Sequence, residues 1–164
     1  EQYARAPQAT DGCVVMANTD LARLLRTVEV RSTPVVIARQ LQRVAPQSLQ
    51  AERHAFTSQL QAWQQAKRSG DLQRLLSFYA SDFASYDKSL TDWTPVLQRE
   101  VQKLQGRNFA LKDLSYLRWS DSADTMVVTF GEVAEGARTG PVKRQYWLRQ
   151  GGGAWKIFFE GVIG

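Results

Sequence analysis

The sequence predicts an α+β fold in which helices come first and a meander of antiparallel strands follows. Apolar residues recur at helical spacing between residues 49 and 104, and the period changes to two after Gly106. Breaks rich in serine and glycine then separate strand-like segments that contain many aromatic and β-branched residues. Helices followed by a run of strands are typical of an α+β domain.

A short helix and a short strand are predicted before this domain. Residues 18–28 place their leucines on one helical face, and either Asn18 or Thr19 is a suitable N-cap. Residues 31–38, RSTPVVIA, form an apolar β-branched run that is typical of a buried strand. The residues that follow contain a proline and show little periodicity, so a domain boundary is predicted near residue 45.

Three helices open the predicted domain. Lys67 and Gly70 suit the end of the first helix, and Asp71 suits the cap of the second. A loop over residues 81–89, SDFASYDKS, leads to the third helix, which is predicted over residues 91–104 with Thr94-Pro95 as its cap and first-turn proline. The apolar faces are formed by Phe56, Leu60 and Trp63, by Leu72, Leu75, Leu76 and Tyr79, and by Trp93, Leu97, Val101 and Leu104.

About four strands complete the domain. Residues 108–119 alternate in polarity, but the apolar phase slips near Asp113, which indicates a bulge or a bend. The segments DTMVVTFGEVAEG, PVKRQYWLRQ and AWKIFFEGVI supply three more strands. Tyr146 and Leu148 face one side of the sheet and Trp147 faces the other. We therefore expect helices to cover one face and a partner or a pocket to cover the other.

Composition and charge argue against several classes of protein. No uninterrupted apolar stretch reaches the roughly 18 residues of a membrane span, and an apolar content of 43% predicts a packed core. The net charge of +5 is spread along the chain without a basic run or a nucleic-acid motif, so no nucleic-acid partner is expected. One cysteine and one histidine are too few for a zinc site, and we expect no metal or other cofactor.

The second half of the chain resembles the nuclear transport factor 2-like family. The segment QYWLRQGGGAWKIFFEG is similar to the last hairpin of that family, and SGDLQRLLSFYASDF is similar to its second helix. The resemblance covers residues 49–164. It implies a cone in which three helices pack into the mouth of a strongly curved antiparallel sheet. Enzymes of this fold, such as ketosteroid isomerases and polyketide cyclases, hold a carboxylate or a His–Asp pair in a pocket of the cone.

That resemblance supplies candidate pocket residues. Glu160 and Asp82 are the candidate carboxylates, but Lys143 and Lys156 lie near Glu160 in sequence or hairpin pairing. We therefore expect Glu160 to form an ionised surface salt bridge and not to act as a catalytic acid. Each aromatic candidate is equally well explained as a core residue. The aromatic candidates are Tyr79, Phe83, Trp93, Tyr116, Trp119, Tyr146, Trp155 and Phe159.

The opening of the chain resembles a second family. Residues 10–38, TDGCVVMANTDLARLLRTVEVRSTPVVIA, are similar to the last segment of an L,D-transpeptidase catalytic domain. That segment has a [S/T]-x-G-C motif, a short apolar run, an asparagine, a helix and a closing T-P-V-x-I strand. Thr10, Gly12 and Cys13 fall in register with the motif. Some bacterial L,D-transpeptidases also carry a nuclear transport factor 2-like domain behind the catalytic one.

This second resemblance implies a division into residues 1–44, the end of a catalytic domain with its linker, and residues 45–164, an accessory binding or dimerisation domain. Cys13 is then the nucleophile that attacks the carbonyl between meso-diaminopimelate and D-Ala of a peptidoglycan stem peptide. Gly12 would let the substrate approach the backbone. Asp11 stands where the family usually has a histidine, and the upstream base histidine is missing, so we expect this chain alone to be inactive.

Other interpretations stay open. Judged by its neighbours Val14 and Val15 alone, Cys13 is equally well explained as a small buried apolar residue. In the L,D-transpeptidase motif, by contrast, Thr10 would help to orient the base histidine. The L,D-transpeptidase resemblance implies a periplasmic or cell-envelope location and peptidoglycan stem peptide or glycan as partner. The fold also implies a homodimer through the outer sheet face. The alternative functions are a stand-alone binding or dimerisation module and a small-molecule isomerase or cyclase.

Overall fold

The computed structural model describes residues 14–28, 33, 35–37, 44–104, 106–119 and 123–163. The helices are α1 (Asn18–Leu25), α2 (Pro46–Ser69), α3 (Leu72–Leu76) and α4 (Leu90–Leu104). The strands are β1 (Ala84–Ser85), β2 (Lys88–Ser89), β3 (Phe109–Trp119), β4 (Thr125–Ala134), β5 (Val142–Arg149) and β6 (Trp155–Val162).

The four long strands form one antiparallel sheet in the order β3-β4-β5-β6, with each strand beside its sequence neighbour. The pairing of β3 with β4 is irregular between Lys112 and Ser115. Asp113 takes a left-handed backbone conformation there, with φ of 53°, and this confirms the predicted bend. The predicted α+β layout, with helices followed by an antiparallel meander, is confirmed.

Two helix ends follow the predicted chemistry. Gly70 ends α2 with φ of 79°, a conformation that costs glycine little because it has no Cβ atom. The side chain of Asp71 then caps α3 by accepting a hydrogen bond of 2.9 Å from the backbone N–H of Arg74. Helix α2 itself begins at Pro46, earlier than the periodicity of the sequence indicates.

Two local predictions in the middle of the chain were wrong. Helix α4 begins at Leu90, where Ser89 and Asp92 bond to each other's backbone N–H groups. Thr94 instead donates to the carbonyl of Leu90, and Pro95 lies inside the helix. The segment predicted to be a plain loop contains the hairpin β1–β2, whose two-residue strands are too short to show a period.

The segment before α2 also differs from its prediction. Helix α1 has Ala17 at its N-cap and no side-chain capping bond, so neither Asn18 nor Thr19 serves as the cap. Residues 35–37 pair with no strand in the described part of the chain, and Val35 is 80% exposed. The predicted buried strand needs neighbouring strands, and the described residues offer it none.

The core lies between the helices and the inner face of the sheet. Phe56 of α2 is fully buried and makes edge-to-face contacts with Tyr116, Trp147 and Trp155. Each such buried side chain contributes roughly 1.5–3 kcal/mol to stability. The described helices include none with the length and apolar character that a bilayer crossing requires.

Candidate functional site

The aromatic pocket candidates divide between the two faces of the sheet. Tyr79, Trp93 and Trp155 are buried in the core, and half-buried Tyr116 packs against Phe56 on the same side. Tyr146 was expected to face the pocket, but its ring lies on the outer face. Strand alternation places it opposite to Trp147. The remaining candidates are buried Phe83, exposed Trp119 and, beside Tyr146, half-buried Phe159.

Glu160 lies at the polar centre of the domain, and its predicted place on the surface was wrong. The residue is 1% exposed. Its Oε2 accepts hydrogen bonds from the Tyr79 hydroxyl at 2.8 Å and from Gln145 Nε2 at 2.7 Å. Its Oε1 lies 3.6 Å from Lys143 Nζ and accepts no hydrogen bond from the described residues. Asp82, the other candidate carboxylate, is exposed.

A network of charged side chains links Glu160 to the surface. Lys67 Nζ lies 2.6 Å from Glu100 Oε2, and 2.9 and 2.7 Å from the two oxygens of Glu132. Lys143 Nζ lies 2.6 Å from the same Glu100 oxygen and 3.5 Å from Glu132 Oε2. The two lysine side chains are 0% and 2% exposed, whereas that of Glu100 is 26% exposed. Three carboxylates thus surround two buried ammonium groups, and Glu100 faces solvent.

Strand alternation explains why some of these charges point inward. Lys143 and Gln145 lie four and two residues before Trp147, respectively, so all three share the inner face of β5. The sequence therefore held a signal for the network: a lysine and a glutamine in phase with a buried tryptophan. The predicted helix-end cation Lys67 carried no such signal. It is buried because α2 continues past Glu100 of α4 and Glu132 of β4.

The network shifts the pKa values of its members. Burial acts to raise the pKa of Glu100, but the positive charges of Lys67 and Lys143 lower it from 4.5 to about 2. Burial acts to lower the pKa of Lys143, but the surrounding carboxylates, Glu160 foremost, raise it above its usual value. Burial and the charge of Glu160 raise the pKa of Tyr79 well above 10.0. Glu100 and Lys143 are therefore charged at neutral pH, and Tyr79 is a neutral hydrogen-bond donor.

Two surface cavities lie away from Glu160. One, of about 460 Å³, is lined by α2 residues from Ser48 to Gln59 and by Arg149, Gly153 and Trp155. The other, of about 290 Å³, lies at the Phe109 end of β3. Trp155 is the one aromatic candidate that lines either of these two. Within the described ranges no grouping of acidic, histidine or cysteine side chains could hold a metal ion.

The candidate acyl-transfer residues Thr10, Gly12 and Cys13 lie outside the described residues, so their roles stay predictions. The residues that the structure does bring together are the buried charged side chains. Their arrangement keeps the ammonium groups of Lys67 and Lys143 paired with carboxylates and shielded from water. Neither of the two surface cavities described above includes Glu160 in its lining.

Comparisons with known proteins agree with this architecture. Residues 55–161 match the family described as the Cds6 C-terminal NTF2-like domain. The solved structure of Bd1075 from Bdellovibrio bacteriovorus is similar, with 21% identity and a TM-score of 0.68 over 92% of this chain and 56% of that chain. None of the curated protein sequences matches this chain.

Two further solved structures share the fold. The helical cell shape determining protein Pgp2 from Campylobacter jejuni is 18% identical, with a TM-score of 0.52 over 62% of this chain and 38% of that chain. A candidate ketosteroid isomerase from Shewanella frigidimarina is also 18% identical, with a TM-score of 0.52 over 63% of this chain and 89% of that chain. This chain spans less than two thirds of Bd1075 and of Pgp2. From its match over residues 55–161, the chain belongs to the family of Cds6 C-terminal NTF2-like domains.

Proposed function

We propose that this chain is the C-terminal part of a cell-envelope protein related to the L,D-transpeptidases. In this proposal residues 1–44 end a catalytic domain, and residues 45–164 form its accessory binding or dimerisation domain. The observation that carries the proposal is the order of motifs in the sequence. Thr10-Asp11-Gly12-Cys13 is followed, at the spacing of that family, by a helix and by Thr33-Pro34-Val35-Val36-Ile37.

The comparisons support a larger parent protein. The structural likeness to Bd1075 covers 92% of this chain, so it extends beyond the NTF2-like domain of residues 55–161. The name of Pgp2 as a determinant of helical cell shape supports a place in the cell envelope, because the wall maintains the shape of a bacterial cell. At identities near 20% these likenesses concern the fold, and the chemistry rests on the motif.

Exposed apolar side chains near the start of the chain also support the proposal. Val14 is 63% exposed, and Leu24 and Leu25 of α1 are 42% and 54% exposed. Val35 and Ile37 are exposed to 80% and 71%. An amphipathic helix normally buries its apolar face. These side chains fit a surface that packs against the rest of a catalytic domain.

In this proposal Cys13 attacks the amide carbonyl between meso-diaminopimelate and D-Ala of a stem peptide. The C–N bond breaks, D-Ala leaves with a proton, and the peptide stays bound to sulfur as a thioester. An amine of a second stem then takes the acyl group and regenerates the thiol. The missing general base contributes about 10²–10⁴-fold to such a step, so the 164-residue chain alone is inactive.

The accessory domain is proposed to bind peptidoglycan or to dimerise through the outer face of its sheet. One row of paired apolar residues crosses the sheet from β3 to β6. Its members are Leu117, Val127, Tyr146 and Phe159. None of the four belongs to the core cluster or packs against it, and all but Val127 are partly exposed. An apolar row across four strands fits a flat contact with the same row of a second copy.

The test uses the full-length gene product that contains this chain, incubated with a tetrapeptide-stem muropeptide and examined by mass spectrometry. We expect release of D-Ala and a mass increase on the peptide that contains Cys13. The Cys13→Ala variant and the 164-residue chain should show neither. D-Ala release that persists in Cys13→Ala would overturn the assignment of the nucleophile. No release by the full-length protein would overturn the proposed activity.

A further inference from the structure

Two buried lysines of the accessory domain share a single acceptor atom. Lys67 Nζ and Lys143 Nζ each lie 2.6 Å from Glu100 Oε2. The two ammonium groups come from different layers, α2 and β5, and Glu100 reaches them from α4. We propose that Lys67 and Lys143 form a carboxylate-binding site that Glu100 fills in this state, and that a ligand carboxylate enters by displacing Glu100.

Glu100 is the exchangeable member of the network because its two fellow carboxylates are held more firmly. Glu160 is 1% exposed and accepts hydrogen bonds from Tyr79 and Gln145. Glu132 lies on a strand, is 11% exposed, and accepts from Lys67 with both oxygens. Glu100 is 26% exposed, and among the described residues its carboxylate is bonded to the two lysines alone. Its side chain can turn into solvent without opening the core.

The surroundings of the lysines favour a carboxylate over water as the replacement. Lys67 Nζ lies 5.4 Å from the ring centre of Trp63 and 5.6 Å from that of Phe109, so apolar walls limit its hydration. A buried ammonium group that loses its partner is strongly destabilising. An incoming carboxylate replaces the same charge and the same two hydrogen bonds, and the exchange leaves the charge of the site unchanged.

Because the ligand replaces the carboxylate of Glu100, we expect it to be a molecule with a free carboxylate, such as a small organic acid or the C-terminus of a peptide. N-acetyl-D-alanine and its amide differ only in that group, so they form a matched pair of probes. This inference concerns the NTF2-like domain alone. It holds whether or not the segment before the domain belongs to a cysteine enzyme.

The first experiment empties the site in the full chain. Glu100→Ala leaves the two lysines without their shared acceptor. We expect sodium acetate to raise the melting temperature of Glu100→Ala in a saturable way, relative to sodium chloride at equal ionic strength. Wild-type protein should need a roughly tenfold or higher acetate concentration, since its open state is a minor fraction. Glu135→Ala, an exposed substitution in the turn after β4, is the control and should respond like wild type.

The second experiment uses wild-type protein and does not depend on the folding of any variant. The indole N–H of Trp63 donates to Tyr79 and that of Trp147 donates to Gln145, so both report on the network. We expect both indole NMR signals to shift with N-acetyl-D-alanine and to stay in place with its amide. Equal stabilisation of Glu100→Ala by acetate and chloride would overturn the proposal. So would identical wild-type spectra with the acid and the amide.

Discussion

The hydroxyl of Tyr79 donates a 2.8 Å hydrogen bond to Glu160 Oε2, and this bond joins the segment after α3 to the last strand of the sheet. The same hydroxyl accepts a bond of 3.4 Å from the indole N–H of Trp63 on α2. Tyr79 therefore connects three elements through one oxygen atom. The bond to Glu160 is charge-assisted and buried, which places it among the stronger hydrogen bonds of proteins.

Tyr79→Phe should lower the free energy of unfolding by roughly 1.5–3 kcal/mol, because it removes a donor from a buried carboxylate and leaves the Trp63 N–H without its acceptor. Urea denaturation of wild type and variant measures the difference. Tyr86→Phe is the matched control. Tyr86 is 69% exposed, so its loss of a hydroxyl should change stability by less than about 0.5 kcal/mol. Equal effects of the two substitutions would contradict the assigned role of Tyr79.

The lowered pKa of Glu100 makes stability depend on pH in acid. The folded protein holds this carboxylate with a pKa of about 2, against 4.5 in the unfolded chain. The stabilisation is complete above pH 4.5 and is lost as the pH falls towards 2, because the unfolded state then binds the proton first. With an allowance for its partial exposure, Glu100 contributes roughly 2–3 kcal/mol at neutral pH.

Glu100→Gln removes this contribution. We expect wild type and Glu100→Gln to differ most above pH 4.5 and to converge as the pH approaches 2. Denaturant unfolding at several pH values measures the two curves, and Glu135→Gln, an exposed position, controls for the loss of one negative charge. A difference that stays constant across this range would show that Glu100 acts through packing and not through its charge.

The sequence predicted the helices and strands well because their signals are local. Periodicity located the four strands of the sheet, and single turn residues such as Gly70 and Asp71 located helix ends. The hairpin β1–β2 was not predicted because a strand of two residues is too short to show an alternating pattern. The range of α4 was predicted to within one residue, but its cap was assigned to Thr94-Pro95 because that pair resembles a cap as closely as Ser89 and Asp92 do.

The candidate site was harder to predict because its partners are distant in sequence. Glu160 was assigned to a surface salt bridge because basic residues lie near it in sequence or hairpin pairing. It is buried instead, and Lys143, Gln145 and Tyr79 stabilise it there. Lys67 meets Glu132 from 65 positions away. A single sequence does not indicate which residues that are distant in the chain come into contact. The phase of Lys143 with Trp147 was the one local indication that this strand buries a charge.

The outer face of the sheet leads to a prediction about assembly. If the row containing Tyr146 meets a second copy, the wild-type chain should run as a dimer, and a lysine at the centre of the row should break that contact. Tyr146→Lys should therefore give the mass of a monomer in light scattering coupled to gel filtration. Gln98→Lys lies on the exposed side of α4 and should leave the dimer intact. A wild-type monomer at high concentration would contradict the proposed interface.

The contact of Gly140 with Glu132 shows how the turn before β5 holds the network in place. A Cβ atom added at Gly140 would overlap the backbone carbonyl of Glu132, and neither backbone can yield as a flexible side chain would. Gly140→Ala should therefore separate the turn from β4, shift Glu132 away from Lys67, and cost roughly 1–3 kcal/mol in urea unfolding. Gly151 has open space where its Cβ would lie, so Gly151→Ala should change stability by less than about 1 kcal/mol in either direction. If Gly140→Ala were as stable as Gly151→Ala, the close approach would not constrain Glu132, and the position of this carboxylate would have to come from its bonds to Lys67 alone.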